Sequence, residues 1–172
     1  MTIYEIISRR KSIRKYEDKP VPADVLDRIL DAGRMANSAR NRQEWAFMAV
    51  TDAEIRKALV PACRDQKFVA GAGAVIAICS TESEYIMACG VPAYAVDCSI
   101  AADHIQLAAC AEGLGTCWLG AFYQDKVKEV LDIPENIKVV AVLTIGYPAE
   151  EGRPKTRKEM GEILFREKWG RR

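Results

Sequence analysis

The sequence predicts a mixed α and β domain with helices on both faces of one sheet. Three observations lead there. Helix-like and strand-like segments alternate irregularly, which fits neither a helical bundle nor a β-sandwich. The apolar runs AVIAICS (74–80) and VVAVLTI (139–145) have the length and β-branched content of buried strands. The stretch Tyr94–Glu112 is Ala-rich, apolar and long enough only for a helix. With 172 residues, 49% of them hydrophobic, the chain can bury a sizeable core.

Taken in order, IYEIIS (3–8) forms a short helix that stops at a basic run. Pro22 suits the first position of a helix, and PADVLDRILDAGRMA (22–36) places Val25, Ile29, Ala32 and Ala36 on one face. That helix should stop near Asn37 and Ser38. WAFMAV (45–50) reads as a buried strand, and DAEIRKAL (52–59) as a helix capped by Asp52 or Thr51. After the AVIAICS strand comes the long helix, with Gly113 and Gly115 placed to end it. Being apolar nearly all round, it should be buried on most sides, and a domain of this size offers little interior for it. A subunit interface is therefore expected. GLGTCWLG (113–120) reads as a helix end leading into a loop that exposes its backbone, with Gly120 admitting a flat ligand. QDKVKEVLDI (124–133) is another helix, and IKVVAVLTIGYP (137–148) a long central strand stopped by Gly146 and Pro148. The tail, 149–172, is polar apart from the short amphipathic stretch KEMGEILFREKW.

Charge excludes several functions. Lys and Arg total 25 against 24 Asp and Glu, so no global field favours nucleic acid or an acidic membrane. No apolar run approaches a bilayer span, and Glu5, Arg9 and Arg10 interrupt the N-terminus before any signal-like apolar stretch. A soluble, cytoplasmic protein is expected. The six cysteines show neither CxxC nor zinc-like spacing, so buried thiols in a reducing compartment are expected, and no metal.

The glycines at 113 and 115 invite a dinucleotide fingerprint, but Trp118 stands where its third glycine belongs, and a helix precedes it instead of a strand. His104, the only histidine, sits mid-helix with no nucleophile motif nearby, so a packing role is expected. Three polar clusters remain. Six of the fifteen residues from Ser8 to Pro22 are Lys or Arg, and Arg10, Lys11, Ser12 and Arg14 combine charged donors with a hydroxyl. Such a run is often only a solvated loop, yet convergent Arg and Lys donors are what a phosphate needs. NSARNRQEW (37–45) offers Ser38, Arg40, Asn41 and Gln43 to the edge of a heterocycle, and RPKTRK (153–158) adds a third basic group. Dispersed donors without a nucleophile point to a bound cofactor that carries the chemistry.

These residues carry a family resemblance. RRKSIRKYEDKPVPADVLDRILDAGRMANSARNRQEWAFMAV (9–50) resembles the start of the nitroreductase family of FMN-dependent flavoproteins. DCSIAADHIQLAACAEGLGTCWLGAF (97–122) is similar to its long interface helix and flavin loop, and VLTIGYP with RPKTRK to its closing strand and basic tail. The resemblance implies an α+β fold: three α/β/α layers around a mostly antiparallel sheet, in an intertwined homodimer. It implies one domain over 1–172, with 148–172 completing the FMN site or the dimer. Arg10, Lys11 and Ser12 would hold the FMN phosphate and ribityl chain, joined by Arg157 and Lys155, with Arg14 near the pyrimidine side of the flavin. Ser38, Ala39, Arg40, Asn41 and Gln43 would contact the cofactor, some from the partner subunit. Leu119, Gly120 and Ala121 would offer backbone groups near flavin N5. Asn37 and Glu44 stand where many members have Pro, and insertions that often cover the active site are missing.

The implied activity is ping-pong hydride transfer from NADH or NADPH, through flavin N5, to a small electron-poor acceptor such as a nitroaromatic or quinone. No catalytic side chain, metal, nucleic acid or membrane partner is implied. A flavin-sequestering protein would share every binding residue. A dehalogenase, azoline oxidase or flavin-fragmenting enzyme on the same fold would differ in its lid.

Overall fold

The computed structural model describes all 172 residues. Four antiparallel strands form one sheet in the order β1 (Trp45–Val50), β2 (Ala74–Ser80), β4 (Lys138–Gly146), β3 (Gly115–Leu119). Helices α1 (Ile3–Arg9), α2 (Ala23–Arg34) and α5 (Ala93–Ala111) belong to one side. Helices α3 (Ala53–Ala62), α4 (Phe68–Gly71) and α6 (Gln124–Leu131) belong to the other, and a single turn, α7 (Met160–Ile163), lies in the tail. The expected α+β class and antiparallel sheet are therefore observed.

Alternation along β2 builds both layers of the core. Ala74, Ile76 and Ile78 pack with Ile29, Ile105 and Leu143, while Val75, Ala77 and Cys79 pack with Leu59, Val127 and Val142. Each isoleucine or leucine fully buried this way contributes about 1.5–3 kcal/mol. No helix of the chain is long and apolar enough to cross a membrane.

Local chemistry explains the boundaries. Thr2 and Glu5 form a reciprocal capping box on α1. Between the two candidate caps of α3, Asp52 is the one used: its Oδ1 accepts the N–H groups of Glu54 at 2.8 Å and Ile55 at 3.0 Å. Helix α2 ends at Arg34, three residues earlier than expected. Its Gly33 permits a close approach to α5, because a Cβ there would lie 2.7 Å from Ile105 Cγ1.

Several expectations need correcting. Segment 113–120 is not a loop: Gly113, at φ +79°, ends α5, and Gly115 opens β3. Five residues with a glycine at one end and Trp118 inside carried too little alternation to show a strand. WAFMAV is a strand, but not a buried one, because β1 is an edge strand and the helices cover β2 and β4. Helix α5 is buried on one face only within this chain. Ala101, Ile105 and Ala109 are inside, while Val96, Ile100 and Leu107 are half-buried and Asp103 is exposed. Four of the six cysteines are buried and all are free, but Cys89 is exposed. Burial pushes the thiols of Cys63 and Cys79 up to about 11 and that of Cys98 up to about 12, which makes them packing groups.

Gly115 gives a direct test. A Cβ at this position would stand 2.6 Å from Ile13 Cγ1 and 2.8 Å from Ile13 Cβ. Gly115→Ala should therefore lower stability by about 1–3 kcal/mol, read as a shift of the denaturant midpoint at constant slope.

Candidate functional site

The basic run leaves α1 at Arg9 and continues extended across the ends of β3 and β4. Ser12 pairs with Thr116 in parallel, and the Ile13 N–H donates to Thr116 O at 2.9 Å. Further on, Tyr16 faces Pro148, the Glu17 N–H donates to Tyr147 O at 2.9 Å, and the Ala149 N–H donates to Lys15 O at 2.9 Å. The Tyr16 hydroxyl lies 2.7 Å from both Ile13 O and Thr144 Oγ1, and burial pushes its phenol well up. After β4 the tail returns over this segment. At Gly152, φ +70°, a Cβ would lie 2.9 Å from Ile13 Cδ1 and 3.1 Å from Lys11 Cβ.

Lys155 then binds the end of α1. Its Nζ donates to Ile7 O at 2.5 Å and Ser8 O at 3.0 Å, satisfying carbonyls that the last helical turn leaves unpaired. The structure thus gathers Arg10, Lys11, Lys155 and Arg157. Burial, followed by the charges of Arg10, Arg157 and Lys11, depresses the Lys155 ammonium below its ordinary value. None of these four cations, nor Arg14, forms an ion pair, although carboxylates are paired elsewhere on the molecule. A cavity of about 570 Å³ is lined by Ile7, Ser8, Lys11, Pro154, Lys155 and Arg157. Another of about 430 Å³ is lined by Ser12, Arg14, Glu150 and Arg153. Arg14 also donates its backbone N–H to Glu150 Oε1 at 2.6 Å, and its guanidinium lies 5.9 Å from the Phe68 ring centroid.

Leu119, Gly120 and Ala121 end the same edge strand. The Leu119 side chain is buried, while Gly120 and Ala121 are exposed. A Cβ at Gly120 would meet no atom within 4 Å, so packing does not require glycine there. The Ala121 carbonyl accepts Gln66 Nε2 at 3.1 Å.

The second donor set lies elsewhere. Ser38–Gln43 precedes β1, at the opposite edge of the sheet, about 14 Å away across three strand spacings. Its backbone is unusual, with left-handed Arg40, Asn41 and Gln43 at φ 54°, 56° and 55°. Local bonds hold it: the Gln43 N–H donates to Ser38 Oγ at 3.0 Å, and Gln43 Nε2 donates to Asn41 O at 3.2 Å. Asp97 of α5, 7% exposed, accepts the Ala39 N–H with both carboxylate oxygens at 3.1 Å. Arg40 sits 5.7 Å from the Tyr85 ring centroid. About 20 Å along α5 from Asp97, Cys110 Sγ contacts Ile6 O at 3.7 Å, so the two donor sets lie towards opposite ends of one helix. One chain therefore does not unite them.

Asp97, Gln66 and Glu150 were not anticipated, and Arg153 was anticipated only as part of the RPKTRK group. Asp97 had a visible signal, as a carboxylate inside an apolar helix; Gln66 and Glu150 had none. His104 takes the expected packing role, with Nδ1 3.3 Å from Ala32 O, joining α5 to α2.

The fold is an α+β sheet flanked by helices, with unpaired cations gathered at one sheet edge. Comparisons make the assignment specific. The sequence pattern of the Nitroreductase family matches residues 7–94 and 65–147. A protein of Archaeoglobus fulgidus, provisionally named NADH dehydrogenase/NAD(P)H nitroreductase, is 35% identical over 155 residues, covering 86% of each chain. A nitroreductase family protein from Clostridium novyi NT superposes with a TM-score of 0.83 at 34% identity, covering 99% of this chain and 96% of its own. An FMN-dependent nitroreductase from Clostridium difficile R20291 does so with a TM-score of 0.82 at 28% identity, over 94% and 97%. The chain belongs to the nitroreductase family.

Asp97→Ala would leave the Ala39 N–H unpaired and release a strained loop. A loss of about 1–3 kcal/mol in thermal or denaturant unfolding is expected, with Asp97→Asn recovering most of it.

Proposed function

We propose that this NAD(P)H-dependent oxidoreductase holds FMN at the sheet edge formed by the basic run, β3 and the tail. The observation that carries the proposal is the cation cluster of Arg10, Lys11, Lys155 and Arg157. Like charges gathered without an ion pair raise the free energy of the fold, and a terminal phosphate dianion relieves that cost. The donor set therefore fits FMN. It supplies two-electron chemistry between NAD(P)H and an electron-poor acceptor such as a nitroaromatic or quinone.

The chain's own residues bind and orient. Arg10, Lys11, Lys155 and Arg157 hold the phosphate, and the Ser12 hydroxyl and Arg14 extend the donor set towards the ribityl chain and ring. The backbone at Leu119, Gly120 and Ala121 offers hydrogen bonds at the exposed end of the strand. Fixed donors of this kind stabilise negative charge without reorganising. Ser38, Ala39, Arg40, Asn41 and Gln43 serve the site of a second copy, which accounts for two donor sets at opposite ends of α5 in one chain. The half-buried stripe of α5 formed by Val96, Ile100 and Leu107, interrupted by the exposed Asp103, supports the same homodimer.

Purified protein should be yellow, release FMN on denaturation and bleach anaerobically with NAD(P)H. Colourless protein that takes up no added FMN would overturn the proposal. Removing one charge-assisted phosphate contact costs about 1.5–3 kcal/mol, a roughly tenfold to hundredfold loss of affinity. Lys155→Met should lie within that range, and the exposed Arg157→Ala at its lower end, both by fluorescence titration of the apoprotein. A bound phosphate raises the depressed Lys155 value, so binding takes up protons. FMN affinity should therefore fall as pH rises through the apoprotein's Lys155 value, and this dependence should weaken in Lys155→Met. Sedimentation at micromolar concentration should show a dimer.

A further inference from the structure

A further cationic surface lies outside the phosphate cluster. Helix α3 ends in two consecutive left-handed residues, Arg64 at φ 55° and Asp65 at φ 58°. The turn is tied to the strand end at three points. The Tyr123 N–H donates to Ala62 O at 2.8 Å, and Gln66 Nε2 donates to Ala121 O at 3.1 Å and Cys63 O at 2.8 Å. The result is that Arg64 and Lys126 each lie 4.9 Å from the ring centroid of Tyr123, which is 44% exposed. Asp65 and Asp125 are their sequence neighbours, yet neither cation forms an ion pair. Lys126 also sits in the first turn of α6, where the helix dipole disfavours a cation. Two cations without ion pairs share one exposed aromatic ring, one of them on a strained backbone, and an anion placed between them would relieve their repulsion.

We propose that Arg64, Tyr123 and Lys126 bind the adenosine 2′-phosphate of NADPH, so that the enzyme takes NADPH in preference to NADH. The inference rests on the oxidoreductase reading above. Tyr123 lies two residues beyond Ala121, so the patch borders the edge that reading gives to the flavin ring. The two cations meet a phosphate dianion, and the guanidinium fork matches its oxygens. NADH lacks that phosphate, so the selectivity is carried by charge alone.

The test is calorimetric titration of the holoenzyme with 2′,5′-ADP and with 5′-AMP, together with steady-state kinetics using both donors. Binding of 2′,5′-ADP should be at least about tenfold tighter than that of 5′-AMP, and kcat/KM should favour NADPH by a similar factor. Arg64→Gln and Lys126→Gln should each reduce both ratios, and the double variant should bring them near unity. Equal affinities for the two nucleotides in the wild type, or a ratio that survives the double substitution, would overturn the assignment. A holoenzyme bleached by neither donor would refute the oxidoreductase reading, while the calorimetric ratio would still decide the site.

Discussion

The pairing of segment Ser12–Glu17 across the ends of β3 and β4 is the contact on which the rest of this structure depends. It works because two glycines clear a path. Gly115 leaves room for Ile13, and Gly146 leaves room for Tyr16, whose Cδ1 would otherwise lie 2.9 Å from a Cβ. Once docked, the segment fixes where α1 ends and presents a surface for the returning tail. The tail in turn needs Gly152 to lie close over Lys11 and Ile13. Residues distant in sequence thus reach one sheet edge through backbone geometry, before any charge acts.

The helices α2, α3 and α6 were legible from their periodicity, and the strands β2 and β4 and the helix α5 from the length of their apolar runs. AVIAICS cannot be solvated on either face, so helices must cover both. The strand β3 was hidden for the opposite reason: its pairing to β4 is non-local, and its glycine-rich flank resembles a loop. The cationic residues were recognisable as a set, but not their division between two ends of α5. Spacing along the chain does not reveal that the sheet order puts β1 and β3 on opposite edges. Asp97 shows the limit most clearly. Its chemistry was visible in the helix, whereas its partner, an N–H in a loop 58 residues away, depends on the tertiary fold.

Charges on this molecule are treated in two ways. Arg28 is held by Asp24 and Glu112, and Arg42 by Glu44 and Glu82, joining elements without leaving a net local field. Arg10, Lys11, Arg14, Lys155 and Arg157, and the Arg64–Lys126 pair, have no such partners. An ion pair exposed on both sides contributes little to stability. Unpaired cations held close together instead store electrostatic free energy that a ligand can release on binding.

Helix α5 acts as a phase gauge for the two sets of donor residues. Asp97 governs the loop at one end and Cys110 touches α1 at the other, so the angular offset between them is set by the number of residues in between. Adding one residue there would rotate one end against the other by about 100° and lengthen the separation by about 1.5 Å. Substitutions on its outer face leave that phase untouched, whereas a single insertion or deletion breaks it. The helix is therefore free to vary in composition and constrained in length.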